Sequence, residues 1–289
     1  MGFSMRLLRR SEWLLIVYFL YTSLLALLLP LRRPIPVVTC TLNLTVIGGF
    51  FLLAYADSLR RRPFLSIVRD WYPAPLMLLA YREMGWFAPT RHDYRLEQSW
   101  IIWDRILLND LGLRAVIESL GPVIPSILEL SYSLVYTMAT FSVAMLYAYH
   151  KRERVDRFLT IFLFGILAAY ALFPYFPSEP PRAVFPNEDL PGVLTPFRRF
   201  NLALLGGYGI HTSVFPSAHV SGAFSAAFAM FGILPEKRWV ASVLLVLAVL
   251  ITTATIYGRY HYAVDALAGF AISIAAVFTG RTLFPRAAR

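Results

Sequence analysis

Long runs of apolar residues constrain this chain more than any other feature of its sequence. A helix needs about 20 apolar residues to cross the hydrocarbon core of a bilayer. Seven stretches have roughly that length: Trp13–Leu29, Val37–Ala56, Val123–Tyr149, Phe158–Phe176, Val214–Leu234, Val240–Tyr257 and Ala263–Phe284. Hydrophobic residues make up 58% of the chain and charged residues 15%, whereas soluble domains average about 25% charged residues. The sequence therefore predicts an all-α, polytopic integral membrane protein and argues against a soluble enzyme.

An eighth segment, Phe64–Phe87, is a weaker candidate span because it contains charged residues and two prolines. A charge at the bilayer centre costs about 2.5–3.5 kcal/mol on insertion scales. The four charged residues are Arg69, Asp70, Arg82 and Glu83. They would have to pair with each other or lie near the two water boundaries. We include the segment and predict about eight spans, because the distribution of basic residues favours an even number.

That distribution also predicts the orientation. With eight spans, 15 Lys and Arg residues fall on one side, in dense short clusters, and 10 fall on the other, in longer loops. Short cytoplasmic loops are typically enriched in Lys and Arg. We therefore expect both termini in the cytoplasm and the protein most simply in the cell membrane. The net charge of +10 is interpreted as this orientation signal and not as a nucleic-acid surface.

Two long segments are predicted on the external or lumenal side. Ala88–Gly121 places Trp100 and other apolar residues along one helical face, which fits either a helix at the membrane interface or a lid packed on the protein. Pro177–Ser213 is rich in proline and glycine, and irregular loops of this kind commonly carry functional sites. We divide the chain into N-terminal spans with this external helix, residues 1–121, and a core, residues 122–289.

Two histidines lie at span ends that the threading brings to this same side. His219 opens one span, and His261 lies at the junction of the next two. Asp265 follows His261 by four residues, so on a helix the two share a face. A carboxylate there can accept the Nδ1 proton, which fixes the tautomer and leaves Nε2 free to attack. His219 then remains as an independent acid and base.

Groups that bind anions surround these histidines in the predicted arrangement. Pro216 suits the first turn of a helix, and the free N–H groups of such a turn form an anion site. Ser217 adds a hydroxyl donor at the same place. Arg182 and Arg259 add planar, permanently charged groups that match phosphate oxygens. Each feature has an ordinary structural explanation alone, but their meeting on one face favours a site.

The arrangement resembles the type 2 phosphatidic acid phosphatase superfamily over about Phe158–Phe284. The second motif of that family is Pro-Ser-Gly-His, which stands here as Pro216-Ser217-Ala218-His219. The third motif ends in a histidine and an aspartate separated by three residues, as in His261 and Asp265.

Several positions depart from the superfamily pattern. The Ser-Arg pair of the third motif is replaced by Ala254-Thr255, and Arg259 is the candidate substitute for that arginine. In the first motif Tyr175 stands in place of lysine, while Arg182 follows two prolines. The combination looks like the inositol phosphorylceramide synthase branch of the superfamily.

The resemblance implies a double displacement, without metal or cofactor, on a lipid phosphate or phospholipid in the bilayer. His261 would attack phosphorus and form a phosphohistidine, with Asp265 orienting it. His219 would protonate the leaving group and then deprotonate the acceptor. The non-bridging oxygens would be held by Arg182, Arg259, Ser217 and the amides of Ala218 and His219.

Two questions about function stay open at the level of the sequence. Water as the acceptor would make the protein a lipid phosphatase, whereas a lipid or sugar hydroxyl would make it a phosphotransferase. A transporter or membrane scaffold that keeps the fold without the chemistry is the alternative.

The single cysteine, Cys40, excludes an intrachain disulfide and a cysteine-rich metal site.

Overall fold

The computed structural model describes residues 7–60, 63–87, 93–210 and 214–284. Within these ranges the regular elements are helices, so the all-α prediction is confirmed. The helices are α1 Arg10–Leu28, α2 Ile35–Arg60, α3 Pro63–Trp71, α4 Pro73–Met84, α5 Arg95–Arg105, α6 Leu113–Glu118, α7 Val123–Leu134, α8 Met138–Ala148, α9 Val155–Leu172, α10 Pro181–Val184, α11 Pro196–Tyr208, α12 Ala218–Ile233, α13 Arg238–Tyr257 and α14 Ala263–Leu283.

Six helical stretches among the described residues are long and apolar enough to cross a membrane. They are Arg10–Leu28, Ile35–Leu59, Val123–Ala148, Arg152–Tyr175, Pro235–Tyr257 and Ala263–Leu283. The predicted span Val214–Leu234 is helical only over α12, which is apolar but shorter. The helix starts late because Ser217 is its N-cap. The sequence had suggested that Pro216 lies in the first turn of this helix. In the structure Pro216 precedes the helix.

The weak candidate span, Phe64–Phe87, is not one continuous helix. It folds as α3 and α4, which are separated at Tyr72. Pro73 has no N–H to donate to a preceding carbonyl, so the hydrogen-bond ladder of α3 cannot continue through it. This segment is therefore built from two short helices and is not among the six long apolar stretches.

The four charged residues of this segment find partners elsewhere in the chain and not among themselves. These partners are Glu12 and Asp57 for Arg69, Arg9 and Arg152 for Asp70, Tyr208 for Arg82, and Thr22 for Glu83. The ion pair between Arg69 and Glu12 has an N–O distance of 2.7 Å, and both side chains are buried. The charges of Arg69 and Asp70, which would be costly alone in a membrane, are thereby compensated by opposite charges, whereas Arg82 and Glu83 have neutral hydrogen-bond partners.

Helix α12 lies at the centre of the C-terminal half and packs against α9, α13 and α14. The start of α12 approaches α14 closely at Gly269, where a Cβ atom would lie only 2.4 Å from the carbonyl oxygen of Ser217. The backbone N–H of Ser217 donates to the carbonyl of Asp265, over 3.0 Å. These contacts fix the beginning of α12, and with it His219, against the beginning of α14.

Helix α5, which was predicted on the external or lumenal side, has an unusual distribution of polarity. Glu97, Ile101 and Asp104 are buried against the protein, while Ile102 and Trp103 are more than half exposed. Its buried face thus carries two carboxylates, and part of its outer face is apolar. One face packs on the protein as a lid would, and the other has the composition of a membrane-interface helix.

Candidate active site

The two predicted catalytic histidines meet in the structure. His219 is the second residue of α12, and His261 lies in the short turn between α13 and α14. The Nε2 atom of His261 lies 3.4 Å from the Nδ1 atom of His219. Two residues separated by 42 positions in the chain are thus close enough to act on one phosphorus atom.

The ring of His261 is oriented mainly by a backbone carbonyl. Its Nδ1 atom lies 3.0 Å from the carbonyl oxygen of Val214 and 3.4 Å from Oδ2 of Asp265. A carbonyl oxygen can only accept, so this contact assigns the proton to Nδ1 and leaves a lone pair on Nε2. Asp265 is a second, longer contact, and its Oδ2 also accepts from the N–H of Tyr262. The Val214 carbonyl has no signature in the sequence and could not have been predicted.

The environment of His261 favours its neutral form. Burial lowers the pKa of this imidazole to about 3, and the nearby charge of Arg182 acts in the same direction. A neutral imidazole with a free Nε2 lone pair is the form that can act as a nucleophile.

A narrow cavity opens beside the two histidines. Tyrosines form much of its wall, together with aliphatic residues, Arg182 and Ala218. Met77 and Tyr81 also line it, so helix α4 of the N-terminal part contributes to the site. Among the described lining residues Arg182 is the only arginine, lysine or carboxylate. Its guanidinium carbon lies 5.3 Å from the ring centre of Tyr260.

Of the other three predicted phosphate ligands, one lies at the cavity and two do not. Ala218 lines the cavity and belongs to the first turn of α12, but Ser217 and Arg259 are not lining residues. The hydroxyl oxygen of Ser217 instead accepts from the N–H of Val220, at 3.3 Å. Arg259 is fully buried, and its Nη1 atom lies 2.5 Å from Oδ2 of Asp104. Of the two arginines proposed from the sequence, the structure brings Arg182 to the cavity and not Arg259.

A buried polar network contacts the tyrosines that form part of the cavity wall. Glu129 of α7 accepts hydrogen bonds from Arg198, at 2.8 Å, and from the hydroxyl of Tyr260, at 2.6 Å. The ring of Tyr132 stacks on both Tyr260 and His219, with centroid distances of 4.2 and 4.9 Å. Sequence reasoning missed this network. An acidic residue inside an otherwise apolar predicted span was the signal that could have found it.

Comparison with known protein families identifies the superfamily of the chain. The sequence model described as the PAP2 superfamily matches residues 101–279, which is more than half of the chain. The chain therefore belongs to the PAP2 superfamily, whose members are generally phosphatases. The superfamily predicted from the motifs is confirmed.

Part of the chain is also similar to a curated protein. A PA-phosphatase related-family protein from Dictyostelium discoideum is 35% identical over 82 residues. That match covers 28% of this chain and 14% of the relative. The chain thus aligns with only a small part of this relative. No solved structure matches the chain.

Proposed function

We propose that this protein is a membrane enzyme that cleaves or transfers a lipid-linked phosphoester through a phosphohistidine intermediate. The observation that carries the proposal is the distance of 3.4 Å between Nε2 of His261 and Nδ1 of His219. Both histidines line a cavity that Arg182 also lines. A nucleophile, a group that acts as acid and base, and a cation for the phosphate oxygens therefore line one cavity.

In the first step Nε2 of His261 attacks phosphorus, and the bond from phosphorus to the leaving oxygen breaks. His219, in its protonated form, gives its proton to that oxygen. In the second step the acceptor oxygen attacks phosphorus, the N–P bond breaks, and neutral His219 takes the proton of the acceptor. Both histidines return to their starting forms, so one donor and one acceptor are converted with protons in balance.

Charge on the non-bridging oxygens is stabilised by Arg182 and by the first-turn amides of Ala218 and His219. Preorganised donors of this kind are usually the largest single catalytic contribution, and a helix N-terminus adds its positive dipole end. Apolar and aromatic residues form most of the remaining wall, which suits a lipid substrate in the bilayer.

The acceptor decides between hydrolysis and transfer. The Arg-Tyr-His-Tyr sequence, residues 259–262, and the Pro-Pro-Arg sequence, residues 180–182, resemble the inositol phosphorylceramide synthase branch. We therefore propose that a hydroxyl-bearing acceptor competes with water for the phosphohistidine.

The test is an assay of purified protein in lipid vesicles for release of phosphate and for transfer to an added hydroxyl acceptor, both in EDTA. We expect turnover to persist in the chelator, because the cavity offers arginine, histidine and tyrosine side chains and, among its described residues, no carboxylate. His261→Ala serves as the inactive control. No turnover with any lipid phosphate or phospholipid would favour the transporter or scaffold alternative. Loss in EDTA with rescue by a divalent ion would mean that the histidines bind a metal.

The orientation is also a proposal: both termini in the cytoplasm and the site on the external or lumenal face. Glu188 and Glu236 are both exposed, the first in the proline-rich loop and the second between α12 and α13. In a Cys40→Ala background, we expect Glu188→Cys to react with a membrane-impermeant thiol reagent in intact cells and Glu236→Cys to stay unreactive. The reverse labelling pattern would overturn the orientation.

A further inference from the structure

A carboxylate on the external helix α5 holds both ends of the turn that carries His261. Asp104 is fully buried. Its Oδ2 atom lies 2.5 Å from Nη1 of Arg259, and its Oδ1 atom accepts from the N–H of Ala263 at 2.8 Å. Arg259 precedes His261 by two residues and Ala263 follows it by two. One side chain therefore bridges the base of a five-residue turn with the nucleophile at its centre.

Arg259 has a conformation that needs such support. Its φ is +60°, in the left-handed region that is unfavourable for a residue with a Cβ atom. The side chain has no exposed surface, and a buried charge is costly unless it is paired. The carbonyl of Arg259 also accepts from the backbone N–H of Arg182, at 3.2 Å. The turn is thus tied to α5 by a side chain and to the proline-rich loop by the backbone.

The same helix contacts the other two segments that build the site. Oε1 of Glu97 accepts from the N–H of Glu179, at 2.8 Å, three residues before Arg182. The ring of Trp100 stacks on Phe215, with a centroid distance of 5.1 Å, next to the carbonyl of Val214 that orients His261. Positions 97, 100 and 104 recur at helical spacing and share one side of α5.

We infer that α5 is the positioning element of the active site, and that Asp104 is a positioning residue which acts on His261 through Arg259 and Ala263. This inference rests on the proposed function for its catalytic consequence. It gives Arg259 a role different from the one expected from sequence, since its guanidinium binds Asp104 and does not line the cavity. The two roles predict different effects of an Arg259 substitution: phosphate binding is unchanged if Arg259 acts on the turn and weakened if Arg259 is a phosphate ligand.

The first experiment compares Asp104→Asn and Arg259→Met with the matched control Asp110→Asn, an exposed acid that follows α5. Misplacement of a reacting group by about 1 Å can cost on the order of 10²-fold in rate. We expect each of the two variants to lower kcat by about 10- to 100-fold. The KM for the lipid donor and the inhibition constant of inorganic phosphate should stay within about twofold, because the phosphate contacts are intact. The double variant should be no slower than the slower of the two single variants, because both substitutions remove the same contact between Asp104 and Arg259.

A rise of more than about tenfold in the phosphate inhibition constant for Arg259→Met, with no effect of Asp104→Asn, would overturn the inference and restore Arg259 as a phosphate ligand. Arg259→Lys keeps the charge and should lose less activity than Arg259→Met. It also provides the test if Asp104→Asn does not yield a monodisperse protein.

A second measurement separates this inference from the proposed function. Hydrogen exchange in the purified protein should accelerate in Asp104→Asn for peptides that cover residues 259–263, while the interior of α13 keeps its wild-type rate. Unchanged exchange at 259–263 would overturn the inference whether or not the protein is active. Faster exchange with unchanged kcat would also overturn it. If the wild-type protein turns over no lipid phosphate, the proposed function fails, and the exchange result alone decides whether Asp104 holds the turn.

Discussion

We expect His261→Ala to abolish both turnover and the covalent phosphoenzyme, whereas His219→Ala should form the phosphoenzyme and then stall. The difference follows from the two roles. A donor whose leaving group needs no proton, such as a nitrophenyl phosphate ester, can phosphorylate His261 without an acid. Transfer to the acceptor still needs a base, and loss of a general acid or base typically costs about 10²- to 10⁴-fold in rate.

The measurement is phosphate trapped on the protein, which should be labile in acid and stable in base, together with single-turnover kinetics for each step. His150→Ala is a suitable control, because His150 is exposed and lies near the basic cluster that precedes α9. Its activity should match the wild-type value. Trapped phosphate in His261→Ala and none in His219→Ala would contradict the assignment of roles while keeping the same site.

The second large effect is expected at Arg182. Arg182→Met removes the only arginine or lysine among the described residues that line the cavity. Removal of one preorganised donor to developing charge typically costs about 10²- to 10³-fold. We expect kcat/KM to fall by that amount and inhibition by inorganic phosphate to weaken in parallel.

Arg199→Met is the matched control for this variant. Arg199 is an exposed arginine of α11, outside the lining of the cavity, and its loss should leave kcat/KM within about twofold. Arg182→Lys should recover part of the activity, because it restores the charge without the planar fork. If Arg182→Met keeps wild-type kcat/KM, the phosphate is held by other groups and the proposed site geometry is wrong.

Much of the fold and the centre of the site could be predicted because their determinants are local. Apolar runs of about 20 residues specify spanning helices directly, and most of the predicted segments are long helices. The convergence of His219 and His261 follows from the number of spans between them. Proline also acts locally: two prolines mark Phe64–Phe87 as a weak span in the sequence, and the structure divides this segment into α3 and α4 at Pro73, where the hydrogen-bond ladder breaks.

The remaining parts depend on contacts between distant segments and could not be predicted. The partner of Arg259 is Asp104, 155 positions earlier in the chain. The backbone at Arg259 is left-handed, but the residue is an arginine and not the glycine or asparagine that would have indicated such a conformation in the sequence. The Val214 carbonyl that orients His261 is a backbone group, which any residue could supply. In each case contacts between segments that are distant in the chain decide which groups meet and in which conformation.

The close approach of α12 and α14 at Gly269 has a consequence for how the reacting distance is set. The two histidines lie at the ends of packed helices, and the spacing of those helices is determined by a residue with no side chain and by the backbone at Ser217. Neither group takes part in the proposed chemistry. The distance between His219 and His261, which the proposed phosphorus atom must fit, is therefore set by the packing of the helices and not by the catalytic side chains themselves.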